Sequence, residues 1–137
     1  MATVGGVELG ETIRTAAARE LYEESGIQAL PQDLEKVAVV DFHNTKTDST
    51  IFRCRVHVFL APVWSGEVKE TSEMRTPTWF PILKLPLDEM MPADWVWLPL
   101  VFEGRKITAS AFYGPFQKEL LGPVEVKNSS ERELEEI

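Results

Sequence analysis

The sequence predicts one α+β domain, α/β in the broad sense, with a mixed β-sheet packed against two or three helices. Three observations predict it. A glycine-bounded helical stretch, Gly5 to Ile27, lies at the start. Two strand-like runs, Leu34–Phe42 and Ile51–Ala61, flank the polar loop NTKTDS. An almost wholly apolar stretch, Trp95–Phe102, is followed by more strand-like sequence. Strand and helix patterns mixed along one chain, with no repeat or linker, give a layered fold around one core. At 137 residues, 44% hydrophobic and 26% charged, the chain is of ordinary globular composition and is read as one domain, 1–137.

Each element has a local reason. Glu11 and Thr12 open the first helix, and Thr15, three alanines and Arg19-Glu20-Leu21 continue it with tolerable or good helix formers. Gly26 supplies a left-handed stop, while Gly5, Gly6 and Gly10 form a permissive loop before it. Ile13, Ala17 and Leu21 lie on one apolar stripe. Pro31 and Asp33 make a turn, and Val37, Val39 and Val40 mark a strand. In Ile51–Ala61, Cys54, Val56, Val58 and Leu60 alternate with Arg53, Arg55, His57 and Phe59. That alternation reads Cys54 as a small buried hydrophobe and His57 as a structural histidine. Trp64–Arg75 is a polar loop carrying Glu67, Glu70 and Glu73; Thr78–Ile82 reads as a short strand. Pro86–Met91 reads as a short helix with proline in its first turn. A further helix follows, with Asp94 as N-cap and Gly104 as its close. Lys106–Tyr113 and the stretch Phe116–Val126 read as strands, broken by Gly114-Pro115 and Gly122-Pro123. The acidic tail, about 128–137, is expected to fray.

Charge and composition narrow the function. A net charge of −8 argues against a nucleic-acid polymer as partner, because backbone binding needs clustered Lys and Arg. An acidic protein that handles phosphates needs a metal or local cations to bridge like charges. The single cysteine, Cys54, allows no internal disulfide and no zinc cluster. No apolar run reaches about 18 residues, so no transmembrane helix and no membrane partner are expected. Met1-Ala2-Thr3-Val4 has no signal-peptide character, and a reducing, cytoplasmic setting is the expectation.

The chemistry concentrates on the first helix. Residues three and four apart share a helix face, so Glu20 sits beside Glu23 and Glu24. Three carboxylates on about one turn repel unless they are solvated or neutralised by a hard dication. Mg²⁺ prefers oxygen ligands and is commonly shared between carboxylates and substrate phosphates. A solvated acidic face is the bland alternative for an arbitrary Glu-rich helix. Here, however, the glutamates stand at fixed offsets from a glycine and an arginine: Gly5, five residues, Glu11, seven residues, Arg19-Glu20-Leu21, one residue, Glu23-Glu24, one residue, Gly26-Ile27.

That pattern, G-x5-E-x7-R-E-U-x-E-E-x-G-U with U a bulky aliphatic, resembles the signature of the Nudix hydrolases. The likeness extends to SEMRTPTWF at Ser72–Phe80, to MMPADWVWLPL at Met90–Leu100 and to VHVF at Val56–Phe59. These segments resemble the branch of the family that cleaves oxidised purine nucleoside triphosphates such as 8-oxo-dGTP. The resemblance implies an α/β/α sandwich with a mixed sheet and a loop–helix–loop catalytic motif. It implies Mg²⁺, with Mn²⁺ as the alternative ion, on Glu20, Glu23 and Glu24. It adds Glu73, otherwise a solvated loop residue, and the backbone carbonyl of Val4. Arg19 would hold a glutamate by a charge-assisted bond; Gly5, Glu11 and Gly26 would be structural. For the base, the branch carries an aromatic–Pro–Asp–Asp run where this chain has Met91-Pro92-Ala93-Asp94. A thioether thus replaces a stacking ring, and Asp94 is left either to meet a base edge or to cap its helix. Cys54 and Val40 fall on two further pocket positions of the branch, each with a smaller side chain. Trp95 and Trp97 are read as core. Roughly thirty residues ordinarily precede the motif in the family, so the chain is expected to be a member short at its N-terminus. An exposed strand edge in such a chain would favour strand exchange, making a monomer or a strand-exchanged dimer the expected state.

The implied reaction is hydrolysis of a nucleoside triphosphate to monophosphate and pyrophosphate. A metal at the glutamates would neutralise phosphate oxygens and lower the pKa of a bound water, with Glu23 or Glu73 as base. Two alternatives stand beside it. One is a Nudix hydrolase for another nucleoside-diphosphate-linked substrate; the other is a nucleotide-binding module with little turnover.

Overall fold

A computed structural model of the chain describes residues 2–4 and 7–137. Its strands are β1 (Ala2–Val4), β2 (Glu35–Thr45), β3 (Ile51–Leu60), β4 (Ile107–Tyr113) and β5 (Glu125–Asn128); its helices are α1 (Ile13–Ser25), α2 (Asp94–Phe102) and α3 (Glu131–Glu135). The strand order is β1-β3-β2-β4-β5. The sheet is mixed. β2 and β4 run parallel, Ala38 opposite Ile107 through Asn44 opposite Tyr113. β4 and β5 are antiparallel, as are β1 and β3, with Val4 opposite His57. This is the α+β architecture expected, and the parallel pair is made through the crossover that carries α2. Among the described residues no helix is long and apolar enough to cross a membrane.

The chain divides into two compact units. The first, Met1–Lys36 with His57–Trp79, holds β1, α1 and the end of β3. α1 begins where Thr12 caps it, its hydroxyl accepting from the Thr15 N–H at 3.1 Å. It ends where Gly26, at φ 80°, turns left-handed and donates back to the Tyr22 carbonyl at 2.8 Å. The helix buries Ala16 and Ala17 against Leu34 and Phe59, with Ile13, Ala18 and Leu21 packed around them. Arg14 closes the edge of this core: its guanidinium lies 5.4 Å from the Phe59 ring centroid and donates to the carbonyls of Pro31 and Leu34.

The second unit, Val37–Val56 with Phe80–Ile137, contains most of β2 and β3, then α2, β4, β5 and α3. Val40, Ile107, Ala111 and Tyr113 are fully buried there. β2 runs on through Thr45, into the stretch expected to be loop, and the loop proper begins at Lys46.

Four local expectations are corrected. Thr78–Ile82 forms no strand; a 3₁₀ turn at Ile82–Lys84 takes its place, since Pro77 and Pro81 remove two ladder donors. Of Phe116–Val126 only the end is strand, within β5; Pro115–Gln117 is a 3₁₀ turn in which Phe116 is left-handed. The tail does not fray. Ser130 caps α3 by accepting from the Glu133 N–H at 3.1 Å, and Leu134 is fully buried. Cys54 is exposed rather than buried. The first half of β3, Ile51–Arg55, is exposed on both faces, so its alternation marks no covered side.

Candidate active site

α1 sets the site by its periodicity. Arg19 reaches back to Glu11 through two charge-assisted bonds, Nε to Oε2 and Nη2 to Oε1, both 2.9 Å. Glu11 is fixed further by the Glu8 N–H, which donates to its Oε1 at 2.8 Å. The Arg19 bonds, and then the Glu8 bond, hold the Glu11 carboxyl below the usual glutamate range; reciprocally, Glu11 keeps Arg19 firmly cationic. The remaining nitrogen of Arg19 donates to Glu23 at 3.1 Å and lies 3.4 Å from Glu20. Arg19 is thus a fork that ties the loop before the helix to the acidic face of the helix.

The carboxylates of Glu20, Glu24 and Glu73 come together. Each offers an oxygen, and the three oxygens lie within 4.8 Å of one another. Glu23 is outside this group, its carboxylate turned to Arg19. The loop that brings Glu73 is pinned to the end of α1. The Lys69 N–H donates to the Ser25 carbonyl at 2.8 Å, and the Thr71 hydroxyl to the Glu24 carbonyl at 2.8 Å. The same hydroxyl accepts from the N–H groups of Glu73 and Met74, at 3.2 and 3.1 Å. The two strands of backbone approach closely here: a Cβ on Gly66 would meet the Gly26 carbonyl at 3.0 Å, and one on Gly26 the Glu67 carbonyl at 3.1 Å. Thr71 was not singled out from the sequence. Its signal was there, a threonine two residues before an acidic residue in a polar loop, the setting of a side-chain-to-backbone turn.

The electrostatics of the group suit a cation. Burial, then Glu20 and Glu73, push the Glu24 carboxyl above the usual glutamate range. Three oxygen donors in mutual repulsion are the donor set of a hard dication, so these residues fit a divalent metal. Val4 lies in β1 opposite His57. Gly5, the glycine of the motif, and Gly6 lie outside the described residues.

The other candidate residues belong to the second unit. Ala93, fully buried, caps α2, its N–H donating to the Tyr113 hydroxyl at 2.9 Å. Asp94 is therefore not the N-cap but the first helical residue, and its carboxylate accepts from Trp97 Nε1 at 3.0 Å. Trp97 is buried, whereas Trp95 is half-exposed and not core. Met91 is half-buried in the turn before α2, Val40 is fully buried in β2, and Cys54 stands on the exposed part of β3. Tyr113, which no motif indicated, stacks on Phe42 with centroids 6.1 Å apart and seats the start of α2.

Burial pushes the Asp94 carboxyl above the usual aspartate range, against the opposing bonds from Trp97 and the Met91 backbone. A carboxyl raised by folding stabilises the fold at low pH, and that contribution is lost as pH rises through its folded pKa. Asp94→Asn is therefore expected to melt above the parent chain at pH 7, with the gap closing as pH falls towards 4. Thermal melts across that pH range check it; a gap that widens in acid refutes it.

A NUDIX domain model matches residues 3–101. The chain is 38% identical over 102 residues to an oxidized purine nucleoside triphosphate hydrolase of Danio rerio and 36% identical over 102 residues to that of Mus musculus; each match covers 74% of this chain and 62% of the relative. The chain thus spans about three fifths of the length of these relatives. A crystal structure of the mMutator MutT protein from Bacillus halodurans superposes with a TM-score of 0.73 at 21% identity, over 88% of this chain and 77% of that one. This last likeness is one of fold.

Proposed function

The chain belongs to the NUDIX family, and from that premise we propose that it hydrolyses purine nucleoside triphosphates, oxidised ones such as 8-oxo-dGTP included, to monophosphate and pyrophosphate. The observation that carries this reading is the meeting of the Glu20, Glu24 and Glu73 carboxylates within 4.8 Å. A further fact supports it: relatives named for that activity match over 102 residues.

Glu20, Glu24 and Glu73 would hold Mg²⁺, or Mn²⁺ in its place. Bound there, the ion supplies charge neutralisation at the phosphate oxygens and a more acidic water. The chain's own residues do the rest. Arg19 orients Glu20 and Glu23 and keeps the helix face aligned with Glu11. Thr71 fixes both the Glu24 backbone and the loop of Glu73. Glu23, outside the metal group and half-exposed, is positioned by Arg19 to take the proton of the attacking water. The water oxygen bonds to phosphorus as the bridging P–O bond breaks, and the departing pyrophosphate keeps that bond's electron pair. Such chemistry relies on placement and charge more than on covalent intermediates.

Product analysis on 8-oxo-dGTP, 2-hydroxy-dATP, dGTP and ADP-ribose, with Mg²⁺ and with a chelator, tests the proposal: monophosphate and pyrophosphate are read for the triphosphates, AMP and ribose 5-phosphate for ADP-ribose. Metal-dependent release from the purine triphosphates is expected, with the oxidised bases favoured. Nucleotide binding without turnover under every condition would leave a binding module, and turnover of ADP-ribose alone would move the substrate class.

A further inference from the structure

The loop carrying Glu73 is fastened to the end of α1 in register, each step back along the helix end matching one forward along the loop. Gln28 and Ser65 exchange backbone bonds at 2.9 and 2.8 Å. Gly26 and Gly66 approach next. The Lys69 N–H then donates to the Ser25 carbonyl and the Thr71 hydroxyl to the Glu24 carbonyl, groups that a helix leaves without partners in its last turn. From there the loop closes on itself. The Thr71 N–H donates to the Met74 carbonyl at 2.9 Å, and Glu70 Oε1 accepts from the Thr76 N–H at 3.0 Å. That second bond steadies Thr76 at φ 51°, left-handed backbone that a β-branched residue rarely adopts. Residues 70–76 are thus one closed piece, joined to the helix at Thr71. There a single oxygen makes three bonds. It donates to the Glu24 carbonyl at 2.8 Å and accepts from the Glu73 and Met74 N–H groups at 3.2 and 3.1 Å. A hydroxyl has one proton and two lone pairs to offer, so its whole capacity goes into binding loop to helix.

Glu73 needs such a hold. Its carboxylate stands with those of Glu20 and Glu24, oxygens within 4.8 Å, and like charges at that range repel. Glu73 is exposed, so no burial of its own side chain opposes the repulsion. We infer that Thr71 is a positioning residue of the hydrolase site proposed above. Its hydroxyl keeps Glu73 beside Glu20 and Glu24 and thereby sets the affinity of the site for a divalent ion. The inference rests on the proposed hydrolytic reading for the ion, and on the three Thr71 bonds for the hold. Serine is the small side chain that can stand in for Thr71. Valine keeps the shape and loses all three bonds, and a thiol is a weak donor and a weak acceptor.

Two readouts test it. In titration calorimetry, Thr71→Val is expected to weaken Mn²⁺ binding about tenfold or more, the usual effect of removing a partner that orients a metal ligand. Thr71→Ser should bind as the parent chain does. In a Glu73→Gln background, Thr71→Val should change the remaining affinity by less than about twofold, because residues that act through one another are not additive. The same loss in both backgrounds, or a serine variant as weak as the valine one, overturns the assignment. The second readout needs neither metal nor turnover. With a chelator present, the Met74 N–H, which donates to the hydroxyl, should exchange its hydrogen about tenfold faster in Thr71→Val than in the parent chain. The Lys69 N–H, bonded to Ser25, should keep its rate. An unchanged Met74 rate overturns the hold even where Mn²⁺ binding falls. A Lys69 rate that rises as much as that of Met74 means that the whole loop has come loose, and overturns the specific role of Thr71. Absence of both Mn²⁺ binding and hydrolysis in the parent chain removes the hydrolytic reading and the ion with it, while the exchange rates still decide whether Thr71 holds the loop.

Discussion

Glu24→Gln is expected to lower turnover by roughly two to four orders of magnitude, the range for loss of a group at the reacting centre. Glu24 is where three constraints meet. Its carboxylate belongs to the three-oxygen group, its backbone carbonyl receives the Thr71 hydroxyl, and its side chain is partly withdrawn from water, with its carboxyl raised by burial and by its neighbours. The amide keeps the shape and removes the charge, so it relieves the repulsion without supplying a ligand of the same strength. Glu20→Gln and Glu73→Gln should act in the same direction. Glu23→Gln provides the contrast. It too should lose two to four orders of magnitude in turnover, yet keep Mn²⁺ affinity near that of the parent chain, because its carboxylate is turned to Arg19. Titration calorimetry with Mn²⁺ beside single-turnover rates separates the two roles. Loss of Mn²⁺ affinity in Glu23→Gln as large as in Glu24→Gln would sink the assignment of the three-carboxylate group, and parent-like turnover would remove Glu23 as the base.

The part of this site written on one helix was readable from spacing alone. Thr12 and Gly26 bound α1, and the 3.6-residue period puts Glu20 and Glu24 on one face, because both are local rules that tertiary structure has no need to override. Glu73 is different. It reaches the group only because Thr71 and the paired close approach of Gly26 and Gly66 pin a loop to the end of the helix. Spacing carries no such information; here family resemblance supplied the residue. The misreadings share one cause, that pattern does not reveal what lies opposite. Thr78–Ile82 has strand-forming residues but pairs with no strand among the described residues. Cys54 alternates correctly in β3, yet nothing covers that half of the strand. Asp94 looks like an N-cap in isolation, but the buried Tyr113 hydroxyl takes the Ala93 N–H and the helix starts one residue earlier than a capping aspartate needs. In the tail, Ser130 and Glu133 stand at the spacing of a helix start that an acidic composition does not reveal, and the burial of Leu134 decides the outcome.

Phe59→Ala should destabilise the chain by about 3–5 kcal/mol, the usual cost of emptying a fully buried aromatic site. The upper half of that range is expected, and the reason lies in the neighbours. Phe59 is wholly buried against Ala16, Ala17 and Leu34, so two of the residues that line the space are alanines with no side chain long enough to move into it. The alanines make the ring hard to replace: a cavity bounded by Cβ atoms and backbone stays open. The Arg14 guanidinium, 5.4 Å from the ring centroid, loses its aromatic face as well. α1 carries Glu20 and Glu24 a turn or two beyond Ala16 and Ala17, so loosening its seat should also weaken Mn²⁺ binding, although Phe59 is not among the carboxylate group. Phe59→Leu retains most of the volume and is expected to cost well under half as much. Urea unfolding of both variants, with Mn²⁺ titration alongside, checks the chain of cause from packing to site. A loss under about 1 kcal/mol for the alanine variant would mean that the helix can collapse onto the sheet, and that α1 is held chiefly by its caps and by the Arg14 bonds rather than by the ring beneath it.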